Sequence, residues 1–363
     1  MPIDKVVVVG ATGNIGTSVV RALADDAAVR SIVGVARRRP EWQPAKTTWR
    51  TCDVGSADDA VLGEIVSGAD AVVHLAWLFQ PTHAPVTTWT ANVEGSERVF
   101  AAAARAGVST LVYSSSVGAY SPGPHTRGAP DEPVDETWPT DGWPQAAYTR
   151  EKAYVERVLD ALEARHPELR VVRLRPAFVF KRAAAQEQRR LFAGPFVPGR
   201  LVRPGTVPVV PDLPGLRFQA VHSADLGQAF RLAVTGQARG AFNIAADGVL
   251  DARALAECLH ARVVRLPAPL VRAAVTALWR MHIVPASPDL LDAVLRLPLM
   301  DTARARAELG WQPQHTARQA IEEFLLGLRS GAGLPTPPLA ARVPGGRAAE
   351  LATGVGEQPG PAL

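Results

Sequence analysis

The sequence is short of three residue types that often organise a protein of its size. Its 363 residues hold two cysteines, Cys52 and Cys258, far apart and in no paired spacing. That argues against a disulfide framework and against a cysteine-based zinc site. Lysine occurs only at positions 5, 46, 152 and 181, and tyrosine only at 113, 120, 148 and 154. Charge of one sign is scarce as well: 39 basic against 35 acidic residues leaves +4. So mild an excess does not point to a nucleic-acid partner. No apolar run approaches the ~18 residues of a membrane span. The nearest, Leu270 to Val284, is broken by Arg272, Arg280 and His282. The chain enters a strand-like run at Val6–Val9 with no signal-peptide pattern before it, and a reduced, cytoplasmic setting is the expectation. What is abundant is apolar content, 47%, enough for a large core and incompatible with whole-chain disorder.

Short β-branched runs at Val6–Val9, Ser31–Val35, Ala71–Leu75, Thr110–Tyr113 and Arg170–Leu174 alternate with helical patterns. Among the latter are Ile15, Val19 and Leu23 at i, i+4 and i+8, and the stretch Val93 to Ala106. Strands without a polar face, separated by helices, predict an α/β, Rossmann-type doubly wound parallel sheet. Residues 181–217 are rich in Arg, Pro and Gly and show no period. The expected division is a nucleotide-binding domain of residues 1–176 plus 218–245. A smaller C-terminal substrate-binding subdomain takes 177–217 plus 246–330. The Pro- and Gly-rich stretch 331–363 is expected not to pack.

Gly10-Ala11-Thr12-Gly13-Asn14-Ile15-Gly16 leaves the first strand and opens a helix. Gly10 suits the tight turn, Gly13 the approach of a pyrophosphate, and Gly16 close helix–sheet packing. The helix start then offers unpaired N–H groups to phosphate oxygens. About 20 residues further on, an acid would bind the ribose hydroxyl of NAD. Ala36 stands there instead, followed by Arg37, Arg38 and Arg39. An arginine can pair with the 2′-phosphate of NADP, so the reading is NAD(P), leaning to NADP through Arg37. Asp53, after the third strand, is placed to accept from the adenine amine.

Tyr148 and Lys152 lie four residues apart on a helical pattern, hence on one face. With lysine so rare, a chance pairing has a probability of about 4% by simple composition. A tyrosine needs help to act as a base near neutral pH, and a nearby ammonium lowers its pKa. Ser114-Ser115-Ser116 ends a parallel strand, where such sheets carry their sites. No Gly-x-Ser-x-Gly elbow surrounds it, so a hydrolase nucleophile is not indicated. His74 and His222 have no neighbour at metal-ligand spacing in sequence, and no metal is expected.

Together these residues resemble the extended short-chain dehydrogenase/reductase family, the NAD(P)-dependent epimerase/dehydratase-like group. The resemblance spans residues 5–328 and adds Asp53-Val54, His74-Leu75-Ala76, Asn92 to Ser96, Arg175-Pro176, Val221 to Asp225 and Glu308 to Pro313. It implies Tyr148 as general acid/base and Lys152 as the ribose ligand that lowers the Tyr148 pKa. It implies Ser116 as the substrate-orienting serine, with Ser115 as the alternative one register away. By the same resemblance Val54, Leu75, Ala76 and Pro176 flank the cofactor, and Asn92 supports the site. A homodimer through the helices at 93–106 and 148–162 is also implied.

Two departures matter. Val117-Gly118 follow the serines where water-eliminating members carry Asp-Glu, which disfavours a dehydratase. Phe178 to Arg182 replaces the usual Tyr-Gly-Pro turn, which puts a nucleotide-sugar pocket in doubt. Trp77, Leu78, Phe79 and Trp89 are either core or the wall of an apolar pocket; in the second case the small-molecule substrate is an apolar carbonyl or alcohol. The rival readings are a sugar-nucleotide epimerase and a non-catalytic NAD(P)-binding regulator on the same fold.

Overall fold

The computed structural model describes residues 2–123, 132–196, 199, 202 and 205–342. Its strands are β1 (Ile3–Val9), β2 (Val29–Ala36), β3 (Thr47–Thr51), β4 (Ala71–His74), β5 (Thr110–Ser114), β6 (Arg170–Pro176), β7 (Phe178–Phe180), β8 (Val209–Asp212), β9 (Arg217–His222), β10 (Gly240–Ile244), β11 (Val249–Asp251) and β12 (Arg262–Arg265). Its helices are α1 (Asn14–Ala24), α2 (Asp59–Val66), α3 (Pro85–Trp89), α4 (Gly95–Arg105), α5 (Ala147–Arg165), α6 (Ala185–Gln188), α7 (Ser223–Thr235), α8 (Ala252–Leu259), α9 (Ala268–Arg280), α10 (Pro288–Val294), α11 (Ala303–Glu308) and α12 (Ala317–Ser330).

Seven strands form the main sheet in the order β10-β6-β5-β4-β1-β2-β3, every neighbouring pair parallel. Side chains alternate across a strand, so a sheet covered on both faces needs apolar residues at every position. Val6 and Val8 join the core under α1 and α7. Val7 and Val9 join the core under α2, α4 and α5. That is why β1 reads as an unbroken valine run. From β1 the chain first builds outward through β2 and β3, then returns to β4 on the other side of β1. The crevice beyond the carboxyl ends of β1 and β4 is the place where such sheets bind ligands.

β9, in the stretch assigned to the nucleotide-binding domain, pairs with β7 and β11 in a separate three-stranded sheet. Its alternation of Phe218, Ala220 and His222 serves that small sheet, while α7 and β10 rejoin the large one. The chain after α12 was expected not to pack, but through residue 342 it does. Leu339 and Thr336 are buried, the Thr336 hydroxyl donates to the Thr12 carbonyl at 2.9 Å, and Trp42 N–H donates to the Pro335 carbonyl. The buried Leu339 and Thr336 anchor a stretch whose composition suggested no packing. Residues 343–363 lie outside the described part.

Candidate active site

The phosphate loop is closed on one side and open on the other. A Cβ on Gly10, whose φ is +85°, would come within 2.6 Å of the Ala76 backbone. The β1 loop therefore lies directly against Leu75-Ala76 at the end of β4. A Cβ on Gly16 would meet the Gly10 carbonyl at 2.2 Å, whereas one on Gly13 would meet nothing closer than 3.8 Å. α1 has no side-chain cap on its first N–H groups and no acid in its first turn. The buried Asn14 Oδ1 has no hydrogen-bond partner. Glycine cradle, uncapped helix start and absence of negative charge fit a pyrophosphate. Ile15 follows in the first turn, and Asn14 Nδ2 donates to the Val179 carbonyl, tying the helix start to β7.

Arg37 stands exposed just beyond β2. Asp53 accepts the Gly55 N–H at 3.0 Å, so at least one carboxylate oxygen serves its own turn. Val54 is buried and packs on Gly95 of α4. Pro176 ends β6 opposite Ile244.

The loops after β4 and β5 and the start of α5 bring the proton-handling residues together. The Tyr148 hydroxyl donates to Ser116 Oγ at 2.9 Å. Ser116 Oγ also accepts the Gly118 N–H at 2.9 Å. With both acceptor positions engaged, the serine keeps its own proton for another oxygen. Ser115 points elsewhere and donates to Glu156 at 2.6 Å. Of the two registers, Ser116 is the one that meets Tyr148. Lys152 Nζ is buried, donates to the Ser114 carbonyl at 2.7 Å and to the Tyr113 hydroxyl at 3.2 Å, and sits 3.4 Å above the Trp77 ring.

The electrostatics differ from expectation. Burial pushes the Tyr148 phenol up to about 12, against a smaller lowering by the Ser116 hydrogen bond. Burial also takes Lys152 well below its ordinary value, opposed by Glu156 and Glu151. Burial is the largest influence on the phenol, and Lys152 is not among the groups that shift it, so Tyr148 holds its proton at neutral pH.

Sequence reasoning left the aromatic residues undecided, and the structure sets them around the site. Phe79 stacks on Tyr148 at 5.2 Å, Trp77 meets it edge-on at 5.9 Å, and Phe192 closes on Phe79 at 5.5 Å. Trp89 is turned away and packs on Tyr154. Asn92 fastens the Trp77–Phe79 loop: its Oδ1 accepts the Leu78 N–H and its Nδ2 donates to the Leu78 carbonyl and to Glu151. Glu151, Glu156 and Tyr113 were not singled out from sequence. Glu156 lies four residues after Lys152, on the same helix face, and that spacing was the available signal.

His74 is buried against Ser96, and burial drives its pKa down to about 3. The structure does bring His222, His315 and Glu323 together, a grouping the sequence spacing hid. Three of their four ring nitrogens are engaged in hydrogen bonds: His222 with Ala224 N–H and Glu323, His315 Nδ1 with Asp225. The group joins α7 to α12.

A Rossmann sheet with a glycine cradle at its switch point and a Tyr/Lys pair beside it defines a dinucleotide-dependent enzyme class. Residues 6–245 match the NAD dependent epimerase/dehydratase family, and the chain belongs to it. An uncharacterized Mycobacterium tuberculosis protein is 30% identical over 270 residues, 71% of this chain and 65% of its own length. The chain thus spans about two-thirds of the length of the curated relatives it first matches. A 3 beta-hydroxysteroid dehydrogenase/Delta 5-->4-isomerase from the same organism is 28% identical over 349 residues, covering 89% of this chain and 90% of that one. Among solved structures, Thermus thermophilus UDP-glucose 4-epimerase in complex with NAD superposes with a TM-score of 0.64 at 20% identity, covering 90% and 99% of the two chains. The Stenotrophomonas maltophila UDP-glucose-4-epimerase with NAD and formylated UDP-arabinopyranose gives 0.66 at 20%, covering 90% and 98%. At these identities the two structures establish the shared fold. No helix among the described residues is long and apolar enough to cross a membrane.

Proposed function

We propose that this chain is an NAD(P)-dependent oxidoreductase acting on the hydroxyl or carbonyl carbon of an apolar substrate, with Tyr148 as general acid/base. The observation that carries this reading is the Tyr148–Ser116 hydrogen bond set between the rings of Phe79 and Trp77. Bound nicotinamide would supply the hydride acceptor or donor. Gly10, Thr12, Gly13, Asn14, Ile15 and Gly16 would hold its pyrophosphate, with Leu75, Ala76, Val54 and Pro176 alongside. Lys152, fixed by Ser114 and Tyr113, would hold the ribose.

In the reducing direction Tyr148 passes its proton to the substrate oxygen, and Ser116 gives that oxygen a second hydrogen bond. In the oxidising direction the phenolate form of Tyr148 takes the alcohol proton, so oxidation should speed up as pH rises. Arg37, exposed where an acid would select NAD, supports NADP as the preferred dinucleotide. The aromatic wall supports an apolar ring or chain over a sugar nucleotide, and the steroid dehydrogenase among the relatives is consistent with that class.

The test is reduction of NADP⁺ and of NAD⁺ over a panel of hydrophobic secondary alcohols, hydroxysteroids included, beside UDP-hexoses. Turnover of the alcohols, faster with NADP⁺, is expected. Conversion of a UDP-hexose with no alcohol oxidised would overturn the substrate assignment.

A further inference from the structure

Of the large hydrophobic side chains that the described residues leave exposed, five fall from β12 to the residue just after α9: Val263, Val264, Leu266, Leu270 and Met281. Leu270 is 67% exposed and Met281 60%, and no residue of the 13-residue α9 is buried. The helix is nonetheless held in place from its inner side. Trp279 Nε1 donates to Thr82 Oγ1 at 2.9 Å, and the His83 ring stacks on both Trp279 and His282 at 4.1 Å. α9 is therefore a docked helix whose outer face has no protein against it among the described residues.

The segment that carries this face has charge of one sign only. From position 258 to position 288 there is no Asp or Glu, while Arg262, Arg265, Arg272 and Arg280 all occur. Arg272 is paired with Asp289 and Asp292, and Arg265 lies 3.6 Å from Asp212. Among the described residues no carboxylate pairs with Arg262 or Arg280, and both are exposed. Aliphatic and Met side chains bordered by unpaired arginines are the pattern of a segment lying in a lipid headgroup layer.

We propose that β12 and α9 form a docking surface for an anionic lipid bilayer, with Leu266, Leu270 and Met281 entering the acyl boundary and Arg262 and Arg280 meeting headgroup phosphates. The inner side of the same helix holds the loop from Thr82 back to Phe79, which walls Tyr148. Docking would thus place the entrance of the site near the membrane. Binding itself does not depend on the substrate proposed above; delivery of an apolar substrate from the bilayer does.

The experiment is sedimentation of the full chain with phosphatidylcholine vesicles, with and without phosphatidylserine, at low and high salt. Binding to the phosphatidylserine vesicles that weakens with salt is expected. Leu270→Asp with Met281→Asp, and separately Arg262→Glu with Arg280→Glu, should each weaken it by about tenfold or more at unchanged melting temperature. Sedimentation with neither vesicle would overturn the proposal. So would a dimer in solution that Leu270→Asp converts to monomer, since the face would then belong to a second copy. Binding that persists in alcohol-inactive enzyme would separate this surface from the substrate assignment and still support it.

Discussion

At the residue scale, a single hydroxyl separates chemistry from packing. The Tyr148 ring is held by Phe79 and Trp77, and its oxygen touches Ser116. Tyr148→Phe keeps the ring and should lower kcat by about 10²–10⁴-fold while leaving the melting temperature and cofactor affinity nearly unchanged. Steady-state rates beside a cofactor titration check this. Arg37→Glu should reverse the preference between NADP and NAD, read as the ratio of kcat/KM for the two dinucleotides.

Glu156 is a residue of the opposite kind. Burial alone would raise its pKa, but Arg175, bonded to both its oxygens, and Arg173 hold it down to about 2. Glu156→Gln leaves the buried Arg175 without its anion, while Arg173 keeps Asp160 and Glu163, and should cost about 3 kcal/mol in denaturant unfolding. A carboxyl with a depressed folded-state pKa stabilises the fold above the unfolded value of about 4.3 and loses that contribution as pH falls towards 2. The wild-type stability should therefore drop between about pH 4.3 and pH 2 more steeply than that of the variant.

At the scale of elements, the site depends on a loop without regular structure. Residues 75–81 are held by Asn92, and Asn92 by Glu151, which also accepts from Thr88 Oγ1 at 2.6 Å. Asn92→Ala frees both backbone groups of Leu78. Its expected signature is a KM raised several-fold with a smaller change in kcat, as the aromatic wall loses its position. Much of this architecture could be read in advance where a local rule governs it. The valine run of β1, the three glycines and the Tyr148–Lys152 spacing each follow from near-neighbour geometry. The turn of Ser115 towards Glu156, which leaves Ser116 to meet Tyr148, could not, because it is set by a partner on another element. The pKa of Tyr148 escaped for a similar reason: the spacing shows the lysine but not the burial that raises the phenol. The place of β9 in a separate sheet depends on partners in β7 and β11, and no periodicity within β9 records that.

At the scale of the molecule, the end of the described chain returns to its beginning. Besides the bonds to Thr12 and Trp42, the carbonyls of Pro338 and Ala340 accept from Arg190. Ending the chain at Ser330 removes the buried Leu339 and these anchors. It should lower the unfolding free energy by about 2–5 kcal/mol, measured by urea denaturation against the full chain. Composition gave no warning here, since Pro and Gly set how a segment bends and leave open whether a waiting groove will take it.

The bond between Thr336 and Thr12 spans 324 positions of the chain. β1 and α1 are made before the rest of this fold, yet the Gly10–Gly16 loop gains this support only when residue 336 has been made. A product terminated before residue 336 should form most of the sheet and still lack this hold on the phosphate loop.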